Sequence, residues 1–418
     1  MNKKYYIIVY GCQMNLSDSE RISAVLENIK YKNTSNINEA DLIVVTMCSV
    51  RQSAVDRVQG LADKLKKLKT TNYKLQTILT GCVLKRDRKK FLGYFDYVLD
   101  IKDIKKISEI LNKKLAKYSD NYLDITPKHT SKFSASVPIM TGCNNFCAYC
   151  VVPYVREREI SRSSKEIVSE VKKLVKNGYK EIWLLGQNVN SYKDHKTNFP
   201  ALLKIINKIP GKFWIRFTSS HPKDFNQDVI NALAEGGKIT PYLNLPIQSG
   251  NTSVLKSMNR HYTVENYKNK IKELRKKIPD ICLSTDIIVG FPGETKKQFE
   301  NTAQLFRDIK YDMAYINKYS TRAGTAAAKL KDNVSIIEKK RREKVLNEIL
   351  KQTALENNKK YLNKTVEVLV DSKKGNRLFG RTKEYKIIEL NCNKNLIGKF
   401  VKVKVIEANP WKLKGKIK

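Results

Sequence analysis

Between residues 136 and 321 the chain repeats one pattern six times, a short apolar run followed by an amphipathic helical stretch. Strand-then-helix repetition calls for a parallel sheet joined by right-handed crossovers, and six units are too few for the closed eight-stranded form. The expected strands are 137–140, 181–185, 214–218, 242–245, 283–289 and 314–319. Their helices are expected at 164–176, 199–209, 226–235, 264–277, 296–308 and 336–358. The fold class is therefore α/β, with a partial (βα)6 barrel at its centre and functional residues at the carboxyl ends of its strands.

The first of those strands runs into TGCNNFCAYC, which sets Cys143, Cys147 and Cys150 in a CxxxCxxC spacing. Eight cysteines placed at random would produce it in roughly two chains per thousand. Three thiolates can hold three corners of a 4Fe-4S cube, and no fourth cysteine or histidine lies nearby to close a structural zinc site. The open iron could chelate a small molecule and pass it one electron, as in chemistry that begins from S-adenosylmethionine (SAM). A zinc knuckle completed from far away is the alternative.

Upstream, β-rich runs at 5–10, 42–46, 75–80 and 97–100 alternate with helical stretches, the pattern of an open parallel sheet. Three of them lead into cysteines: YYIIVYGC at Cys12, DLIVVTMC at Cys48 and LQTILTGC at Cys82. Ligands of open α/β sheets bind beyond the carboxyl ends of the strands, so these thiols are expected to converge on a second three-cysteine site. The alternative is that each is a small buried hydrophobe.

Lys and Arg outnumber Asp and Glu by 80 to 41, a net charge of +39 that attracts a polyanion such as RNA, although much of the excess is lysine in an Asn- and Ile-rich chain. No apolar run reaches the roughly 18 residues of a membrane span, and the 5–10 stretch is shorter than a signal-peptide core, so a cytoplasmic protein without membrane contact is expected. In that reducing compartment cysteines argue for metal or redox chemistry rather than disulfides. A polar stretch at 117–132 reads as a linker, giving expected domains at 1–116, 133–358 and 359–418. The last should be a small β-barrel of five short strands that binds RNA through Lys373, Lys374, Arg377, Phe379, Arg381 and Trp411. A merely solvated face is the alternative for those charges.

Taken together, YGCQMN, CSVR, TGC, GCNNFCAYCVVPYVR, LLGQNVNSY, TSSHP, LPIQSG, STDIIVGFPGET and YSTRAGT run along the whole chain in one order. In these segments it resembles the radical-SAM methylthiotransferases, nearest to the branch that acts on N6-isopentenyladenosine in tRNA. The resemblance implies a radical-SAM 4Fe-4S cluster on Cys143, Cys147 and Cys150 and an auxiliary 4Fe-4S cluster on Cys12, Cys48 and Cys82. It implies SAM beside Tyr149, Gly186, Gln187, Ile288 and Gly290, and a terminal RNA-binding barrel of the TRAM kind. The implied reaction transfers a methylthio group to C2 of the base next to the anticodon, and no side chain is assigned as an acid or base. The expected partners are tRNA, an electron donor such as a flavodoxin or ferredoxin, and an iron-sulfur carrier, and the chain is expected to be a monomer.

Glu157, Met47, Thr321 and Ala323 depart from the residues usual in that pattern: glycine, asparagine and two prolines. His221 in SSHP is the most tempting histidine, with a structural role as its alternative. Three other readings share these features: a methylthiotransferase acting on threonylcarbamoyladenosine or a ribosomal-protein aspartate, a single-cluster radical-SAM RNA methylase, and an RNA-binding iron-sulfur protein without turnover. YGCQMN favours the isopentenyl branch by resemblance.

Overall fold

A computed structural model describes residues 3–113 and 121–418. The chain forms two compact units, one of residues 1–131, 141–144 and 150–162, the other of residues 132–140, 145–149 and 163–418.

The first unit is built on a five-stranded parallel sheet in the order Lys32–Asn33, Lys4–Tyr10, Leu42–Cys48, Gln76–Cys82, Tyr97–Val98. All seven residues of Leu42–Cys48 are buried, as expected of a central parallel strand covered on both faces. The two central strands run two residues past their expected ends, because their register continues through Thr46–Thr80 and Met47–Gly81 to Cys48–Cys82. The strand expected at 97–100 stops at Val98; Asp100 instead accepts a hydrogen bond from the Lys102 amide at 3.2 Å and starts a helical turn, Ile101–Lys106. Residues 117–120 of the expected linker lie outside the described residues. Its remainder packs within this unit, with Tyr122, Leu123 and Ile125 buried and Glu20 accepting from the Thr130 amide and hydroxyl.

In the second unit the six expected strands are present as Ser134–Pro138, Glu181–Leu185, Trp214–Phe217, Tyr242–Asn244, Cys282–Val289 and Met313–Lys318. All their pairings are parallel, in two three-stranded arcs linked by an Ile215–Ile239 bridge. Helices Ser164–Lys176 and Val264–Lys277 match the periodicity residue for residue, and Phe199–Asn207, Gln227–Ala234, Lys296–Ile309 and Ile336–Lys359 differ by one or two residues at their ends. Ile, Leu, Val and Phe from both layers make one continuous core.

Residues Thr365–Lys374, Arg377–Thr382, Ile387–Asn391, Phe400–Ala408 and Leu413–Ile417 close into a five-stranded barrel, shut by a parallel pairing of the third strand with the fifth. It docks at the amino-terminal ends of the parallel strands. Arg216, fully buried, bonds Glu181 Oε1 at 2.6 Å and donates to the Thr382 and Lys383 carbonyls at 2.9 Å each. The rings of Trp183, Trp214 and Tyr385 surround its guanidinium.

Candidate metal centres

The register of the first unit decides where its thiols lie. Cys48 and Cys82 are directly opposed on adjacent strands, and Cys12 follows the neighbouring strand by two residues and starts helix Gln13–Asn28. Asn15 ties this edge together: its Oδ1 accepts from the Cys12 amide at 3.4 Å and its Nδ2 donates to the Met47 carbonyl at 3.3 Å. Gly81 has φ +98°, and a Cβ there would stand 2.6 Å from the Met47 oxygen, so the turn into Cys82 requires glycine.

Burial pushes the Cys48 thiol up to about 12, and the neighbouring Cys82 and Cys12 add to the shift. Burial also raises Cys82, while the Arg156 guanidinium pulls it back. Cys12 is exposed, but Cys48 and Cys82 are buried beside it and are hard to ionise without a cation; a metal that binds thiolates supplies one. Among the described residues no three His, Cys, Asp or Glu side chains group as ligands of a single metal ion. A cubane asks for a wider arrangement, since each thiolate binds a different iron. The donor set at this edge therefore suits an iron-sulfur cluster.

The CxxxCxxC loop contributes to both units: Cys143 and Cys150 belong to the first and Cys147 to the second. In the first unit, the Cys143 amide donates to the Glu157 carbonyl at 3.1 Å. Gly142 (φ +81°) lies so close to the segment at Glu157 and Arg158 that a Cβ would meet the Arg158 oxygen at 2.0 Å. Glu157 itself has φ +61°, which explains why glycine is usual at that position, and its carboxylate pairs with Lys102. Val151 and Val155, just beyond Cys150, share an apolar cluster with Cys82 and Leu84.

In the second unit the segment around Cys147 is pinned at several points. The Ala148 amide donates to the Met258 carbonyl at 2.9 Å and the Asn259 side chain to the Phe146 carbonyl at 2.9 Å. Arg260, buried, donates to Cys147 Sγ at 3.4 Å, to Tyr262 Oη at 2.6 Å and to the Pro246 carbonyl at 2.8 Å. Tyr149 and Ile288 pack against one apolar cluster with Ala148, Val254 and Phe291, which brings together two of the five residues expected beside SAM. Gly186 and Gly290 have packing reasons as well, since a Cβ would meet Met140 at 2.5 Å and Lys339 at 2.4 Å.

Beyond strands Glu181–Leu185 and Trp214–Phe217, buried polar atoms stand without partners: Gln187 Oε1, Asn188 Oδ1, Asn190 Nδ2, Ser220 Oγ and His221 Nε2. Ser219 and Gln248, at neighbouring strand ends, hold φ of +64° and +75°. Orphaned polar groups and strained backbone at the carboxyl ends of a parallel barrel mark a ligand site, and they fit the polar amino-acid end of SAM. His221 Nδ1 accepts from the Lys223 amide at 3.2 Å, and burial, reinforced by Arg260 and Lys223, pushes the ring down to about 2, so it is neutral.

On the terminal barrel, Lys373, Lys374 and Arg377 are exposed at one hairpin end, Trp411 is exposed and Phe379 half-buried. Arg381 instead lies over the Tyr385 ring at 4.3 Å, toward the joint with the core. Sequence reasoning did not foresee Arg156, Asp18 and Tyr122 beside Cys82, or Arg260 beside Cys147. Arg156 ends the GCNNFCAYCVVPYVR segment and Arg260 lies in none of the segments noted, and the directions of both side chains depend on contacts more than 70 residues away in the chain.

This fold and its cysteine loop define a radical-SAM enzyme with a closed five-stranded barrel at its carboxyl end. Residues 137–306 match the Radical SAM superfamily, residues 4–100 the uncharacterized protein family UPF0004, and residues 359–418 the TRAM domain. Three relatives, each named tRNA-2-methylthio-N(6)-dimethylallyladenosine synthase, match nearly the whole chain. The protein of Alkaliphilus oremlandii is 40% identical over 100% of this chain and 93% of its own, and that of Caldicellulosiruptor saccharolyticus 41% identical over the same shares. That of Clostridium botulinum strain Langeland is 42% identical over 99% and 96%. The chain belongs to the tRNA-2-methylthio-N(6)-dimethylallyladenosine synthase family.

Among solved structures, the radical-SAM methyltransferase TsrM from Kitasatospora setae shares the fold, with a TM-score of 0.54, 13% identity and 78% and 77% of the two chains covered. The cobalamin-dependent radical enzyme OxsB gives a TM-score of 0.55 at 11% identity over 84% of this chain; the match spans 56%, about half, of OxsB. Among the described residues no helix is long and apolar enough to cross a membrane.

Proposed function

We propose that this chain transfers a methylthio group to C2 of N6-isopentenyladenosine next to the anticodon of tRNA. The observation that carries the proposal is the second set of thiols. Cys48 and Cys82 are paired in register with Cys12 beside them, in a chain that also carries the CxxxCxxC loop. A C2–H bond of adenine is unactivated, and no acid, base or nucleophile among the side chains inserts sulfur there. When bound, SAM and two 4Fe-4S clusters supply the radical and the sulfur.

Cys143, Cys147 and Cys150 would hold one cluster and Cys12, Cys48 and Cys82 the other. Within the first unit, Val151 and Val155, just beyond Cys150, share one apolar cluster with Cys82. Gln187, with Asn188 and Asn190 beside it, would bind the amino-acid end of SAM through atoms that now lack partners. Tyr149 and Ile288 would flank its adenine. Lys373, Lys374, Arg377 and Trp411 would contact tRNA from the terminal barrel. Segments 1–116, 133–358 and 359–418 are the functional divisions of this reading, in a cytoplasmic enzyme served by a low-potential electron donor and an iron-sulfur carrier.

The test compares iron and sulfide in anaerobically reconstituted wild type and a Cys143→Ala/Cys147→Ala/Cys150→Ala variant. Retention of about four irons by the variant, half the full load, is the expected result. A variant holding none makes the protein a single-cluster enzyme, a result that nucleoside mass spectrometry of tRNA would extend by finding no methylthio product.

A further inference from the structure

The guanidinium of Arg156 lies inside the first unit, 2% exposed. Nothing in the chemistry above uses it. Its three nitrogens take three different partners: Nη2 donates to Asp18 Oδ2 at 2.5 Å, Nη1 to Tyr122 Oη at 3.1 Å, and Nε to Cys82 Sγ at 3.2 Å. An arginine kept only to neutralise Asp18 would lay its fork across both carboxylate oxygens. Here Asp18 Oδ1 is left buried without a partner while the Nε edge is spent on sulfur. A neutral thiol is a weak acceptor and a metal-bound thiolate a strong one, so the contact gains most when Cys82 carries negative charge.

We propose that Arg156 is a positioning residue for the auxiliary cluster, holding the Cys82 sulfur in place and setting how readily the cluster accepts an electron. The inference rests on the reading of Cys12, Cys48 and Cys82 as cluster ligands. One-electron reduction makes a cluster more negative by one unit. A buried cation and an N–H donor at a ligand sulfur stabilise that reduced form and raise the potential. Asp18 opposes the effect, but it is bonded to Nη2, whereas the guanidinium itself donates to the sulfur through Nε. Arg156 also follows Cys150 by six residues, just past helix Val152–Val155; Val155 of that helix and Val151 before it share an apolar cluster with Cys82. The segment that leaves one cysteine set therefore delivers the cation to the other.

The experiment uses the full chain carrying Cys143→Ala, Cys147→Ala and Cys150→Ala, reconstituted anaerobically so that only the auxiliary cluster forms. Its midpoint potential is read by dithionite titration followed by electron paramagnetic resonance, with Arg156, Arg156→Lys and Arg156→Met. The expected result is a lower potential and altered resonance positions in Arg156→Met, with partial recovery in Arg156→Lys, which keeps the charge without the fork. Because Arg156→Met leaves Asp18 buried and unpaired, Asp18→Asn/Arg156→Met serves if the single variant does not fold, and should show a smaller fall in the same direction. Unchanged potential and resonance in a folded methionine variant with full iron would overturn the proposal and leave Arg156 a structural ion-pair partner. Absence of iron with Arg156 intact would overturn the cluster assignment itself, a distinguishable outcome.

Discussion

Replacing Gly142 by alanine should empty the CxxxCxxC loop while leaving the rest of the protein folded. Two costs combine at this position. Its φ of +81° costs an alanine about 1–2 kcal/mol. The new Cβ would also stand 2.0 Å from the Arg158 carbonyl oxygen and 2.5 Å from its carbon, backbone atoms that must move to make room. Overpacking of that kind costs typically about 1–3 kcal/mol. The sum of about 2–5 kcal/mol shifts the loop away from its native geometry by roughly 30-fold to several thousand-fold. The Cys143 amide, bonded to Glu157 next door, moves with it. Gly178 provides the control, since it has φ +88° but nothing within 4 Å of a Cβ, and therefore carries the conformational cost alone. Iron per chain after anaerobic reconstitution and SAM cleavage to 5′-deoxyadenosine are the measurements. Gly142→Ala should fall to about four irons and lose cleavage, whereas Gly178→Ala should keep both and only melt earlier. Wild-type iron and cleavage in Gly142→Ala would refute the argument that this close approach seats the loop.

The remaining predictions concern strain, charge and the domain joint. Glu157→Gly removes a left-handed non-glycine residue at the cost of an exposed pair with Lys102, so a gain of about 0.5–1 kcal/mol is expected in thermal melting, and a loss would contradict it. His221, held neutral in the fold, binds no proton until about pH 2, whereas the unfolded chain takes one up near pH 6.5. Stability should therefore fall with acidification through that window, by about 2 kcal/mol between pH 6.5 and 5, and denaturant titrations of His221→Gln should lack this component. Arg216→Met removes the cation between Glu181 and the Thr382 and Lys383 carbonyls, and should weaken docking of the terminal barrel by about 3–5 kcal/mol. Hydrogen exchange in Thr365–Lys374 should then rise; unchanged protection would place the joint elsewhere.

Periodicity made the barrel legible because each of its helices carries its own amphipathic signal, and Ser164–Lys176 and Val264–Lys277 emerge with their expected bounds. The strand at 97–100 was misjudged because Asp100 can satisfy a backbone amide locally, a competition that alternation of apolar residues does not reveal. The polar 121–131 stretch looked like a linker by composition, yet Tyr122, Leu123 and Ile125 find burial that only neighbouring elements provide.

By itself the sequence determined the local features: six strand-then-helix units, a closed spacing of Cys143, Cys147 and Cys150, and cysteines placed after three apolar runs. The switch-point rule could then gather Cys12, Cys48 and Cys82 at one edge, since a parallel sheet leaves its strand ends little freedom. Which of them face one another was decided by register, which sets Cys48 against Cys82. The direction of Arg156 toward sulfur, of Arg260 toward Cys147 and of Arg216 into the joint was decided only by tertiary packing. A buried guanidinium is stable only where several partners meet, and those partners come from chain segments whose approach no local pattern encodes.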